Sequence, residues 1–163
     1  MTLAFDPIAE ARRQWENRWE GGAAMMAATS IMRAQQIVLA RVDDTLRPYD
    51  LTFARYEALV LLSFTRAGSL PLGKMGERLM IHPASVTNIV DRLAIQGFVR
   101  RRPHPTDRRT VLAEITDEGR DVVKRATKSV LEIDLGMDGL RPHELESLSK
   151  TLVTFRRSAG DFD

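Results

Sequence analysis

The sequence predicts a mainly α chain with one small β-ribbon, an α+β class in which helices dominate. Three observations carry this. Apolar residues recur three and four positions apart through most of the 163 residues, the period of a helix face. After Gly97 that period gives way to short β-prone stretches. Cap and turn residues stand where the periods begin and end.

Asp6-Pro7 reads as a helix start, a side-chain acceptor followed by proline in the first turn. Ile8, Ala11, Trp15 and Trp19 then share one face, and Gly21-Gly22 are expected to end the helix. A second helix is predicted from Ala23 to Leu46, with Ile31, Ala34, Val38 and Val42 on its stripe, broken at Pro48-Tyr49-Asp50. Thr52 is expected to cap a third, "FARYEALVLLSF", apolar almost all round and so predicted buried. Gly68-Ser69 with Pro71 reads as a turn.

Two short helices follow. "LGKMGERLM" places Leu72, Met75 and Leu79 on one side. "HPASVTNIVDRLAIQG" places Val86, Ile89, Val90 and Leu93 on one side, with Gly97 closing it. Only Met80-Ile81-His82 separates them. "FVRRR" and "TVLAEIT" are then predicted to pair as a two-stranded ribbon with "PHPTDRR" at its tip. Thr116-Asp117-Glu118 starts a long helix with Val122, Ala126, Val130 and Ile133 inward. Pro142 opens the last, with Leu145, Leu148, Leu152 and Phe155.

This order describes a winged helix–turn–helix lobe over residues 51–116, flanked by helical arms at residues 1–50 and 117–163. The stripes in the arms are longer than so small a lobe can cover. Pairing with a second copy about a two-fold axis is the expected solution, giving a homodimer with both arms in the dimerisation region.

Charge separates along the chain. Residues 71–110 carry eight Lys/Arg against three acids, and the rest sixteen against nineteen. A basic segment between mildly acidic arms is the footprint expected of nucleic-acid binding. Cysteine is absent, which removes disulfides, thiol nucleophiles and zinc–thiolate sites. No apolar run spans a membrane and the N-terminus does not read as a signal peptide, so a cytoplasmic protein is expected.

The second short helix turns Ala84, Ser85, Thr87, Asn88, Asp91 and Arg92 away from its apolar face, and His82 just before it, Ala84, Ser85, Thr87, Asn88 and Arg92 are the candidate DNA contacts. Asn88 can bond bidentately to adenine, and Thr87 offers a methyl to thymine. In the ribbon, five arginines fall within residues 100–110. Arg100, Arg101, Arg102 and Arg108 supply phosphate attraction. Asp107 and Arg109 lie two apart, so on an extended strand the carboxylate is expected to hold the guanidinium, aiming it into a narrow minor groove.

The stretch "LGKMGERLMIHPASVTNIVDRLAIQGFVRRRPHPTDRRTVLAEITDEG" resembles the core of the MarR family of bacterial transcription regulators. The likeness is strong over about residues 50–120. It implies a homodimer on a palindromic DNA operator, usually a repressor released by a small ligand. It also implies wing contacts at Asp107 and Arg109 and recognition-helix contacts at Ser85, Thr87 and Asn88. The N-terminal extension is similar to the urate-responsive subgroup, which binds its ligand with a Trp, an Asp and two Arg. Trp15 and Arg101 match. Glu57 stands at the Asp position, and Ile89 at that of the first Arg, which removes an anion partner. An anionic or aromatic effector at Trp15, Glu57 and Arg101 is one reading. Trp15 as a packing aromatic in the dimer interface is the favoured one.

Enzyme readings fail on spacing. "GSLPLGK" matches a phosphate-binding loop up to its lysine, but Met75 follows where a hydroxyl must hold magnesium. His82, His104 and His143 fall in different elements and suggest neither a metal site nor a triad, and no cofactor is expected. A winged helix that binds a partner protein through the same surface is the alternative to DNA binding.

Overall fold

In a computed structural model, which describes residues 3–107 and 109–163, the described residues form seven α-helices and three β-strands. They are α1 (Pro7–Glu16), α2 (Gly22–Leu46), α3 (Phe53–Ser63), β1 (Ser69–Pro71), α4 (Leu72–Leu79), α5 (Pro83–Ile95), β2 (Val99–Pro103), β3 (Val111–Ile115), α6 (Asp117–Glu132) and α7 (Pro142–Ser158). The expected fold class holds.

The core is the helix–turn–helix packed under α3, α6 and the sheet. Leu46, Leu59, Leu62, Met75, Val86, Val90, Leu93 and Ala126 are all but sealed from water. Each apolar side chain of leucine or valine size buried this way contributes about 1.5–3 kcal/mol. The sheet differs from the expected two-stranded ribbon. Its order is β1-β3-β2, all antiparallel, with Leu70 opposite Ala113 and Arg101 opposite Ala113 from the other side. β1 has only three residues, too few to show alternation, and its Pro71 is tolerated because β1 lies at the sheet edge.

Two helix starts show how local chemistry sets the lobe. Thr116 caps α6 by accepting from Gly119 N–H at 3.0 Å, and its hydroxyl donates to Gly97 carbonyl at 2.8 Å. One buried hydroxyl thus ties α6 to the end of α5. Gly97 itself closes α5 in the left-handed region (φ 79°), with Phe98 N–H reaching Leu93 carbonyl. Thr52, by contrast, makes no capping bond to α3. Asp43, ten residues back on α2, accepts from Phe53 N–H at 2.6 Å instead.

The arms are open. α1 and α7 bury no residue fully, and only the C-terminal end of α2 enters the core. Ile31, Met32 and Phe155 face solvent in the single chain. α1 ends at Glu16, earlier than the glycine pair suggested, because Asn17 and the turn after it intervene. Trp15 Nε1 donates to Glu20 carbonyl at 2.8 Å and its ring packs 5.0 Å from that of Trp19. Between α6 and α7, Asp134, Leu135 and Gly136 all take positive φ. Arg41 of α2 donates to Gly136 carbonyl at 2.9 Å and pairs with Asp138.

Candidate nucleic-acid interface

α5 presents the predicted outward face. His82 is its N-cap, Nδ1 accepting from Ala84 N–H at 3.2 Å, and Pro83 occupies the first turn. Val86, Val90 and Leu93 point into the core, and Ile89 is half-buried. His82, Ala84, Ser85, Thr87, Asn88 and Arg92 are exposed. Thr87 donates its hydroxyl to Pro83 carbonyl at 3.2 Å, which leaves its methyl and lone pairs outward. The tight turn before α5 needs Met80 in the left-handed region (φ 54°) and lets Ile81 N–H reach Gly76 carbonyl at 3.1 Å.

The wing is β2 and β3 with the turn between them. Its arginines are not equivalent. Arg101 pairs with Asp91 of α5, so it fastens the wing to that helix. Arg102 pairs with Glu114 across the strands at 2.8 Å, and its charge is shared. Arg108 lies outside the described residues. Arg92, Arg100 and Arg109 have no carboxylate partner among the described residues.

The expected Asp107–Arg109 side-chain pair is replaced by a different device. Asp107, Arg109 and Thr110 lie outside the strands, β2 ending at Pro103 and β3 beginning at Val111, and Arg109 sits in a turn. Asp107 Oδ1 accepts from the backbone N–H of Arg109 at 3.0 Å, and Oδ2 from the Thr110 hydroxyl at 2.6 Å. Both carboxylate oxygens are engaged on the turn, and the Arg109 guanidinium makes no ion pair with them. The Thr110 hydroxyl, then the Arg109 N–H, keep the Asp107 carboxyl below the usual aspartate range.

Trp15, Glu57 and Arg101 are not gathered in the single chain. Trp15 lies on α1, Glu57 half-buried on α3, and Arg101 on the wing against Asp91. They share no hydrogen bond among the described residues. Burial pushes the Glu57 carboxyl up. An apolar cavity of about 280 Å³ lies elsewhere, lined by Val38, Leu39 and Val42 of α2, Phe53 of α3 and Leu135 of the α6–α7 linker.

Sequence reasoning missed a polar chain beside α5. Gln96 Nε2 donates to the carbonyl (2.7 Å) and carboxylate (2.8 Å) of Asp50, and Gln96 Oε1 accepts from Arg55 at 3.1 Å. Gln96 lies 41 residues from Arg55 and 46 from Asp50, so no local motif marks the chain.

Residues 51–111 match the family model described as "MarR family". The crystal structure of Sco5413, a MarR family transcriptional regulator from Streptomyces coelicolor, is 52% identical, spans 88% of this chain and 99% of that one, and superposes with a TM-score of 0.81. The chain belongs to the MarR family. Its kinship extends to a Bacillus subtilis (strain 168) protein, the HTH-type transcriptional regulator YhbI, 32% identical over 66% of this chain and 67% of that one. Sco3205, a MarR family regulator from Streptomyces coelicolor solved in complex with DNA, is 25% identical, with a TM-score of 0.76 over 86% of this chain and 90% of that one. As a MarR-family member the chain is a DNA-binding transcriptional regulator. Among the described residues no helix is long and apolar enough to cross a membrane.

Proposed function

We propose that the chain is a repressor that binds a palindromic operator as a homodimer and is released by a small ligand. The observation that carries this is the pairing of an exposed, polar α5 face with terminal helices, α1 and α7, that bury no residue fully in the single chain. Ser85, Thr87 and Asn88 read base edges, with His82 and Ala84 at the helix entry. Arg92 and Arg100 grip phosphate, Arg102 less so because Glu114 shares its charge. Arg108 adds to that charge, and Arg109 enters the minor groove from a turn that Asp107 shapes. Residues 51–116 form the DNA lobe, and residues 1–50 and 117–163 the dimer region. Operator DNA places the protein in a bacterial cytoplasm.

The apolar cavity between α2, α3 and the α6–α7 linker is the candidate effector site. Its lining carries no cation, so it suits an aromatic or aliphatic body better than an anion.

Selection of bound genomic fragments followed by footprinting tests the reading. The expected result is an inverted repeat whose half-site centres lie about one helical turn, roughly 34–36 Å, apart. Light scattering should give twice the chain mass. Protection without sequence preference, or affinity insensitive to salt, would overturn it and favour a protein partner.

A further inference from the structure

We infer that Arg55, on α3 and outside both the helix–turn–helix and the wing, is a further DNA-phosphate contact, aimed by Gln96. The inference rests on the DNA-binding reading of α5. Arg55 shares one groove of about 530 Å³ with Asn88 and Arg92 from the outward face of α5, and with Asp50, Thr52 and Gln96. A guanidinium that served only the fold would be expected to pair with Asp50, the one carboxylate of that groove. It does not. Gln96 stands between them, spending its amide N–H groups on Asp50 and its oxygen on Arg55 Nη1.

Arg55 Nε also points at the Thr52 hydroxyl at 3.4 Å. Two of its five N–H groups are thus used, on neutral acceptors, and a positive charge remains without a carboxylate among the described residues. Gln96 is the C-cap of α5. Through it the direction of Arg55 is tied to the helix that reads bases, so a phosphate met by Arg55 is met in fixed register with Asn88. Arg55 and Arg92 outweigh Asp50 by one charge in the groove, which suits a single phosphate diester. Planar, pre-aimed guanidinium groups favour that geometry over a lysine ammonium.

The test is the salt dependence of binding to operator and to random duplex, for the parent, Arg55→Gln and Arg55→Lys, with a thermal melt as control. Arg55→Gln should lower the slope of log affinity against log salt by about 0.9. Between 50 and 200 mM salt the parent should therefore lose roughly 3-fold more affinity than the variant. The loss should be equal on operator and random DNA, because phosphate carries no sequence information. Arg55→Lys should keep the parent slope and still bind more weakly. A parent slope and affinity in Arg55→Gln would overturn the inference while leaving the DNA reading intact. Failure of the parent itself to bind duplex in a salt-dependent way would instead sink that reading. Competition by inorganic phosphate beyond matched chloride, lost in Arg55→Gln, would assign the groove to a free anion and overturn the duplex contact.

Discussion

Asp107 accepts a hydrogen bond from the backbone N–H of Arg109, not from its guanidinium. The acid therefore sets where the wing turns, and the arginine side chain is aimed only through its backbone. Asp107→Ala removes both acceptors and should weaken operator binding more than Asp107→Asn, which keeps one carbonyl for Arg109 N–H. Electrostatics alone predicts tighter binding for both, since each deletes an acid near phosphate. Titration of the two variants on the operator separates these accounts, tighter binding by Asp107→Ala being the result that defeats a shaping role.

The same bonds give a pH signature. The folded carboxyl of Asp107 lies below its ordinary value, so the turn is fully held above about pH 3.9 and loosens as pH falls through the lower folded value. The amide signal of Arg109 should titrate with a midpoint under about 3.9. A midpoint at or above it would mean that the carboxylate does not hold the turn in solution.

Asn88 is exposed on α5 and shares its groove with Arg55. Asn88→Ala should cost about 1–3 kcal/mol on the operator and little on random duplex. Equal losses on both, in the same binding assay, would reduce Asn88 to a backbone contact.

Thr116 joins two elements through one hydroxyl. Thr116→Val fits the space but strands Gly119 N–H and Gly97 carbonyl. Loss of a cap together with an orphaned buried group should cost about 1–3 kcal/mol. A chemical denaturation curve measures it directly, and an unchanged midpoint would show that water replaces the hydroxyl.

Glu57 carries a burial penalty on its charged form. A raised folded value means that the carboxylate opposes folding above that value and is neutral toward it once protonated in both states. Glu57→Gln should therefore stabilise near pH 7, by less than about 1 kcal/mol because partial exposure screens the charge. The gain should fade as pH drops below the folded value. Melting points that differ equally at pH 7 and pH 4 would point to packing rather than charge.

Much of this was legible in the sequence where one short window held the whole cause. Val86, Val90 and Leu93 reveal the inward side of α5 by spacing alone, and their complement is the outward face. Thr116 is visible as a cap because its partner is three residues on. β1 was missed because three residues around Pro71 show no alternation and gain their partner over forty positions later, at Leu112 to Glu114. The cap of α3 was assigned to Thr52 because Asp43 reaches it only after the chain reverses. Asp107 and Arg109 were read on a strand, whereas a turn spends the carboxylate locally. Arg55 and Gln96 lie 41 residues apart, and nothing in either neighbourhood announces the other.

Arg41 donates to the Gly136 carbonyl and pairs with Asp138, so the chain that leaves α6 is fastened to α2 before α7 begins. Asp134, Leu135 and Gly136 hold positive φ in succession, a path that backbone conformation sets rather than side-chain packing. The direction of this exit and the apolar stripes of the arms are therefore separate quantities. Loss of the Arg41 guanidinium would act on the first and leave the second untouched.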